Sequence, residues 1–542
     1  MGEAQKLAGL DDESLGMILG TIRDLGQDLV TPQKALEWDE QDILPEEVIR
    51  AMLDPKIGLH LVFLPDDCGG MGGGARDIYR VSEEMAKLDL GIATAFLAIA
   101  LGSDPLRVGA TPEQRRRWLG QVAERGLIVA YGVTEPEAGS NVAAMKTTAT
   151  PVVEGGATVA YRLNGTKQFI SNGSVADLYT ILAQAPGGPT FFVVERGTKG
   201  LTPGRMEVKH GIRSSNTAQV ILDEALVPAD QLIGGVEGKG LEQANEVFGF
   251  TRVMVAAFGL GGGEAALTRA IAYSKERKQF GKLLCQLKGY THKLLLPHVV
   301  RLEAARAYIE EVCRRLDSGE PGLQTEGSIA KLYATEAGNA AAEAAIQAHG
   351  GYGYTREYHV EKIKRDVRIT TIYEGTSEIQ QNIIYLFRFR QVVRSKGAFY
   401  TEPARALRAL GQGVAADLVA DTAAALARTL LTFQELKVSR EQHVQFELAD
   451  RIVEVEHAVA FCRRAARGDA GLQAACRLYA AEAASRLAAS AMRLASAAGV
   501  PDATVATLRE AMGHEQLVTA RAGSFKDMET VVEWLLAEPW PR

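Results

Sequence analysis

Residues 368 to 381 read RITTIYEGTSEIQQ, which sets a single carboxylate, Glu374, between an aromatic residue and a glycine with small hydroxyl residues directly after it. Apolar Ile372 and Tyr373 precede it, so its ionised form is expected to be poorly solvated, and desolvation raises a carboxyl pKa towards the range a general base needs. Gly375 lets a ligand approach the main chain, and Thr376 and Ser377 supply small hydrogen-bonding groups. The same residues also spell a helix start, with Thr376 or Ser377 as N-cap and Glu378 in the first turn. The two readings are compatible.

Three glycine-bearing motifs accompany it. YGVTEPEAGSN at 131 to 141 lies where a strand should end in a turn, and the main chain near Gly139 with the hydroxyls of Thr134 and Ser140 can line a ligand. QAHGGYGY at 347 to 354 carries a double glycine able to pass close to a phosphate or ring, and its His349 reads as a packed histidine rather than a base. GLGGGE at 259 to 264 lacks the last glycine of a dinucleotide fingerprint and follows a helical run, so it reads as helix packing.

The elements that must position these residues change texture twice. Residues 1–128 mix amphipathic helical periodicity with loops; the apolar run GIATAFLAIALG at 91 to 102 fits a buried helix, and the glycine run at 69 to 74 an ordinary flexible connection. Residues 129–240 hold short β-branched and aromatic runs between Gly, Pro, Asn and Asp, which favours an antiparallel sandwich or barrel. Long helices return over 241–392, and 393–542 are helical again, with Leu448, Ile452, Val455 and Val459 on one face. The fold class is therefore α+β, mainly α.

A net charge of -7 over 542 residues argues against a nucleic-acid partner. The five cysteines show no CxxC and no zinc spacing, so neither a metal site nor a disulfide framework is expected and a reducing, cytoplasmic compartment fits. The N-terminus carries no export or myristoylation pattern, and no run of about 20 apolar residues is seen to span a bilayer.

Six stretches in unbroken order, YGVTEPEAGS, LNGTKQFISNG, TRVMVAAFGLG, YSKERKQFGK, QAHGGYGYTREYHVEKIKRD and IYEGTSEIQ, resemble the acyl-CoA dehydrogenase family over about residues 10 to 390. The resemblance implies an N-terminal helical domain, a central β domain, a four-helix bundle and noncovalent FAD. Tyr131, Val133, Thr134, Gly139 and Ser140, with Phe169, Ile170 and Ser171, match the segments lining the flavin, Thr134 and Ser171 as hydrogen-bonding positions. Arg277 and Phe280 match residues reaching the FAD of a neighbouring subunit, Arg277 towards its pyrophosphate; Gln347, Gly350, Gly351, Thr376 and Glu378 match further FAD contacts. Ser140, Arg252 and Gly375 match positions near the CoA thioester, and Glu374 matches the base that takes the α-proton while the β-hydrogen leaves as hydride. Thr251 stands where some branches carry that base instead.

Lys288, Gly249 and His359 depart from the family pattern near the cofactor and the CoA. The final 150 or so residues resemble the extension of the very-long-chain branch, implying a homodimer and a packing role. That branch's membrane association is a secondary expectation, against which stand charged amphipathic helices without a clear basic face. Electron-transferring flavoprotein is the expected acceptor, with a noncatalytic assembly flavoprotein or an acyl-CoA oxidase as alternatives. The apolar ATAFLAIALG segment, with no Arg, favours a hydrocarbon acyl group.

Overall fold

The computed structural model describes residues 9–537 and Trp540; the reading of the N-terminus rests partly on residues 1–8, which lie outside the described residues. In chain order come helices α1 (Asp12–Asp28), α2 (Pro32–Gln41), α3 (Glu46–Leu53), α4 (Ala75–Leu88), α5 (Leu90–Gly109) and α6 (Pro112–Arg125). Seven strands follow: β1 (Val129–Gly132), β2 (Thr148–Glu154), β3 (Ala157–Ser171), β4 (Leu178–Ala185), β5 (Gly188–Glu195), β6 (Leu201–Met206) and β7 (Thr217–Pro228). Then come α7 (Gly240–Glu276), the small strands β8 (Lys278–Gln279) and β9 (Lys282–Leu283), the single turn α8 (Lys288–Tyr290), α9 (Leu296–Asp317), α10 (Gln324–His349), α11 (Val360–Val367) and α12 (Ser377–Arg394). The extension forms α13 (Ala398–Leu407), α14 (Ala416–Glu435), α15 (Gln442–Ala465), α16 (Ala470–Ala497), α17 (Asp502–Ala511), α18 (His514–Thr519) and α19 (Ser524–Ala537). This is the expected helical, β, helical order.

The chain divides into two compact units: Met1–Gly262 with Cys313–Pro321 and Lys362–Ile369, and Gly263–Val312 with Gly322–Glu361 and Thr370–Arg542.

In the first unit α5 is a core helix. Asp89 caps it by accepting from the Ile92 N–H at 2.9 Å, and the hydroxyls of Thr94 and Ser103 donate back to the carbonyls of Leu90 and Ile99, so its few polar groups are satisfied while buried. At 20 residues it is apolar and long enough to cross a bilayer, contrary to the sequence reading, but 78% of its apolar window is buried within the protein. The sheet runs β1-β4-β2-β3-β7-β6 with β5 paired to β4. Most pairings are antiparallel as expected, yet β1 and β2 each meet β4 in parallel, because the β2–β3 hairpin is inserted between β1 and β4 in the chain. The 69–74 loop is not flexible: Gly70, Met71, Gly72 and Gly73 donate to the carbonyls of Pro65, Leu61, Leu64 and Val62, and a Cβ on Gly70 would sit 2.1 Å from the Leu64 oxygen. Buried Lys362 bridges Asp89 and Asp366, whose second roles are to accept from the Ser214 hydroxyl and the Ile212 N–H.

In the second unit the extension packs on the bundle helices. Glu456 of α15 is a hub: Arg388 of α12 donates to it at 2.7 Å, Tyr308 of α9 at 2.8 Å and Tyr400 of α13 at 2.9 Å. Arg388, almost fully buried, also pairs with Glu326 of α10 at 3.0 Å. His457 lies against the rings of Tyr308 and Tyr333, with centroids 4.4 and 3.9 Å away. Leu448, Ile452 and Val455 are buried as the periodicity predicts; Val459 is half-buried. The glycines of 259 to 264 do serve packing: a Cβ on Gly263 would meet the Gly338 main chain of α10 at 2.7 Å.

Candidate active site

Glu374 lies in the second unit, immediately before α12. Its φ is +55° and that of Gly375 is +87°, two successive residues in the left-handed region that a glutamate enters only at a cost. What holds them is a pair of buried side chains that the sequence reading missed. Gln380 Nε2 donates to the carbonyls of Glu374 and Gly375 at 3.0 and 2.9 Å, and Lys331 Nζ donates to the Gly375 carbonyl at 2.8 Å. Both side chains are 0% exposed. Thr376 is the N-cap of α12, accepting from the Ile379 N–H, and Ser377 donates to Glu336 at 2.6 Å. The helix start is therefore where the sequence indicates it. The expected apolar wall is only partly there: Tyr373 and Glu374 are half-buried, while Ile372 is 45% exposed.

The proposed flavin-lining segments of the first unit are brought together. The Gln168 N–H donates to the Thr134 carbonyl at 2.9 Å, joining the turn after β1 to β3. That turn is pinned by Glu135, which is buried and accepts from Lys167 Nζ at 2.7 Å and from the N–H groups of Lys146 and Thr147 at 2.6 and 3.0 Å. Burial pulls the Lys167 ammonium down to about 8 despite the Glu135 carboxylate beside it. The strand β3 bulges between Lys167 and Ile170, and within the bulge Phe169 takes φ +59° and stands 63% exposed. Thr134 and Ser171 are half-buried, Gly139 and Ser140 exposed, and Tyr131 half-buried, so these can meet a ligand. Val133 and Ile170 point into the core and offer only main chain.

Other sites fall as follows. Arg277 is exposed, its guanidinium 5.6 Å from the Tyr352 ring centre, and Phe280 is 92% exposed at the hairpin tip, where Phe280 and Gly281 have φ +52° and +75°. Gln347, Gly350 and Gly351 are exposed, and a Cβ on either glycine would meet nothing within 4 Å. Taken by itself, the first unit offers an exposed aromatic with hydroxyls and an open glycine turn, groups suited to a ring such as the flavin's; taken by itself, the second offers an open double glycine and an exposed arginine, groups suited to a pyrophosphate. His349 is buried, bonded to the Ala345 carbonyl at 2.7 Å and stacked on Tyr273, and burial lowers its pKa, so it is a packed neutral histidine. Glu378 is exposed and Arg252 half-buried. Lys288 is engaged by the extension, donating to Glu529 at 2.6 Å.

Helix α5 continues past Gly102 to Gly109 and carries Asp104 and Arg107, whose ion pair at 2.7 Å lines a cleft with Ile78, Met254 and Thr251. The helix is not purely apolar where it meets that space.

The N-terminal, middle and C-terminal domain models of acyl-CoA dehydrogenase match residues 12–125, 130–225 and 238–386. A short-chain specific acyl-CoA dehydrogenase of Megasphaera elsdenii is 36% identical over 371 residues, 67% of this chain and 94% of that one. The CarC subunit of the caffeyl-CoA reductase-Etf complex of Acetobacterium woodii is 33% identical over 375 residues, covering 68% and 96%. A Bacillus anthracis acyl-CoA dehydrogenase solved with FAD shares the fold over 99% of this chain and 97% of its own, extension included, with a TM-score of 0.85 at 23% identity. With all three domains matched in order, and with more than a third identity across nearly the whole of a short-chain enzyme, the chain belongs to the acyl-CoA dehydrogenase family of FAD-dependent oxidoreductases.

Proposed function

We propose that the protein oxidises a saturated acyl-CoA thioester to the trans-2-enoyl-CoA, with Glu374 as the base that removes the α-proton. The observation that carries this is the main chain of Glu374 itself, left-handed and clamped by Gln380 and Lys331. A non-glycine residue there costs of order 1–3 kcal/mol and persists where its surroundings over-determine it. The clamp fixes the two peptide planes that follow Glu374 and so narrows the directions its carboxylate can take. FAD, when bound, supplies the acceptor for the β-hydrogen as hydride. Removing the α-proton builds negative charge on the thioester oxygen, which the Glu374 N–H is assigned to meet by the family resemblance.

Arg277 and Phe280 stand exposed on the hairpin at 278 to 283, which supports a homodimer in which they reach a neighbour's cofactor. The relative named for an Etf complex supports electron-transferring flavoprotein as the electron acceptor. The five cysteines of the sequence, scattered without CxxC or zinc spacing, support a reducing, cytoplasmic compartment.

The test is anaerobic titration of the FAD-loaded protein with saturated acyl-CoAs of graded length, following oxidised-flavin absorbance. The wild type should bleach with one group of substrates. Glu374→Gln should keep FAD and slow bleaching by at least about 10²–10⁴-fold. Unchanged bleaching in that variant would remove Glu374 as the base, and no bleaching of the wild type by any acyl-CoA would remove the dehydrogenation.

A further inference from the structure

The second unit holds a pair of cysteines with no part in the chemistry above. Cys462 of α15 and Cys476 of α16 are 0% and 1% exposed, and the sulfur of each stands 3.5 Å from the same oxygen, the main-chain carbonyl of Val414 in the turn before α14. Alanines permit that approach: Ala458 and Ala465 flank Cys462 on its face of α15 and Ala480 lies one turn from Cys476, all buried. The two thiols differ in character. The Cys476 thiol beside it holds the Cys462 pKa below the usual value, with burial opposing and Arg463 helping, whereas the Cys462 sulfur and then burial push Cys476 well above. A cysteine that only fills space has no such neighbour; these two are arranged as a dithiol.

We propose that Cys462 and Cys476 form a redox-sensing site that a hydroperoxide oxidises to a disulfide, and that closing this bond releases the turn at Gln412–Val414 from the helices it rests on. In a reducing compartment such a pair stays as thiols and closes only under oxidant. The site stands independently of the acyl-CoA reading above.

The step balances with hydrogen peroxide as oxidant. Cys462, as thiolate, attacks one peroxide oxygen; the O–O bond breaks, the sulfur becomes a sulfenic acid, and the other oxygen leaves as hydroxide and takes up the proton that Cys462 gave up. The Cys476 sulfur then attacks the sulfenic sulfur. The S–S bond forms, the S–O bond breaks, and the departing hydroxyl takes the Cys476 proton as a second water. Two thiols have lost two electrons and two protons, and one peroxide has been reduced to water.

The turn feels the change because each thiol gives up the hydrogen with which it donates to Val414. Closing the disulfide therefore takes both S–H donors from the carbonyl of a residue that is 1% exposed. Arg477 still donates to the neighbouring Gly413 carbonyl at 2.5 Å and is itself held by Asp527. Gly411 and Gly413 are exposed, and Ala415 takes φ +56°, a left-handed conformation that alanine enters at a cost, so the turn opens at low expense in packing. Opening of this turn is also how the oxidant reaches sulfurs that are covered at rest.

The experiment treats the full-length, FAD-loaded native protein with hydrogen peroxide, blocks the remaining thiols on denaturation and digests with trypsin. Cleavage after Arg463 and Arg467 separates the two cysteines, so the peptides carrying Cys462 and Cys476 stay together only when joined through sulfur. The linked pair should appear, lighter by two hydrogen atoms than its parts, and vanish on reduction, while Cys68 and Cys313, also buried, stay reduced. Cys476→Ser should stop at the sulfenic acid on Cys462, labelled by dimedone, and Cys462→Ser should take no label at Cys476. Amide hydrogen exchange over 411–415 should quicken about fivefold or more when the wild type is oxidised, and stay unchanged in Cys476→Ser, whose hydroxyl keeps a donor for Val414. Recovery of Cys462 and Cys476 as blocked thiols after peroxide overturns the proposal, as does either one joined to a different cysteine. A linked pair with unchanged exchange overturns the release of the turn. If a serine variant fails to fold, the wild-type peptides and exchange decide.

Discussion

Gln380 donates its side-chain amide to the main-chain carbonyl of Glu374, six residues before it, at 3.0 Å. The bond reaches from the first turn of α12 back over its own N-cap, so the helix that the motif starts also holds the residue that precedes it. Gln380→Leu removes both of its bonds to this turn and frees the left-handed pair to relax. Because misplacement of a reacting group by an ångström can cost about a hundredfold, kcat should fall about ten- to a hundredfold while KM for acyl-CoA stays within about twofold. Lys331→Met should do the same. A rise in KM alone would mean the clamp serves binding instead.

Glu135 holds the turn after β1 through three bonds, one of them to a fully buried ammonium. Glu135→Leu strands Lys167 in the core, and breaking a buried pair this way costs about 3–5 kcal/mol. The variant should melt several degrees lower and lose FAD on gel filtration. Retention of FAD with an unchanged melting temperature would show that the turn stands without the pair.

Glu456→Ala should be among the most damaging substitutions remote from the motif. It leaves Arg388 with the Glu326 carboxylate and the Gln391 amide oxygen, and removes the acceptor of Tyr308 and Tyr400, for a loss of about 3–5 kcal/mol. Denaturant unfolding measures it. A loss under about 1 kcal/mol would reduce the extension to a loosely attached cover.

His457 predicts an acid limb of stability. Burial pulls its pKa down to about 3, below the ordinary histidine value, so the native ring stays neutral as the unfolded chain takes up a proton. The stability it contributes is therefore complete above the unfolded value and is lost as pH falls below about 6.5, at about 1.4 kcal/mol per pH unit. His457→Phe keeps the stack on Tyr308 and Tyr333 and should flatten that limb between pH 6 and about 5 relative to the wild type. Parallel limbs in the two proteins would place the acid sensitivity elsewhere.

The motif around Glu374, the buried helix from residue 90 and the β texture after 129 were legible because each is a local pattern of spacing. The clamp was not, because Lys331 lies 44 residues from the carbonyl it holds, as a lone lysine in an otherwise small and apolar helical run. Gly102 was misleading. It looks like the end of α5, but it lies mid-helix because a Cβ there would come within 2.9 Å of Val129, so glycine lets the helix approach β1. Reading past it would have found Asp104 and Arg107 at helical spacing. The loop at 69 to 74 failed similarly: its glycines mark close main-chain approach rather than freedom.

The hub at Glu456 also sets a schedule for synthesis. Arg388 leaves the ribosome 68 residues ahead of Glu456, an interval of roughly 3–14 s at about 5–20 residues per second. During it the nascent bundle carries a charge destined for its interior with its main counter-charge still untranslated. Chaperone occupancy and premature association of the growing chain should therefore peak in that window and fall once α15 has emerged.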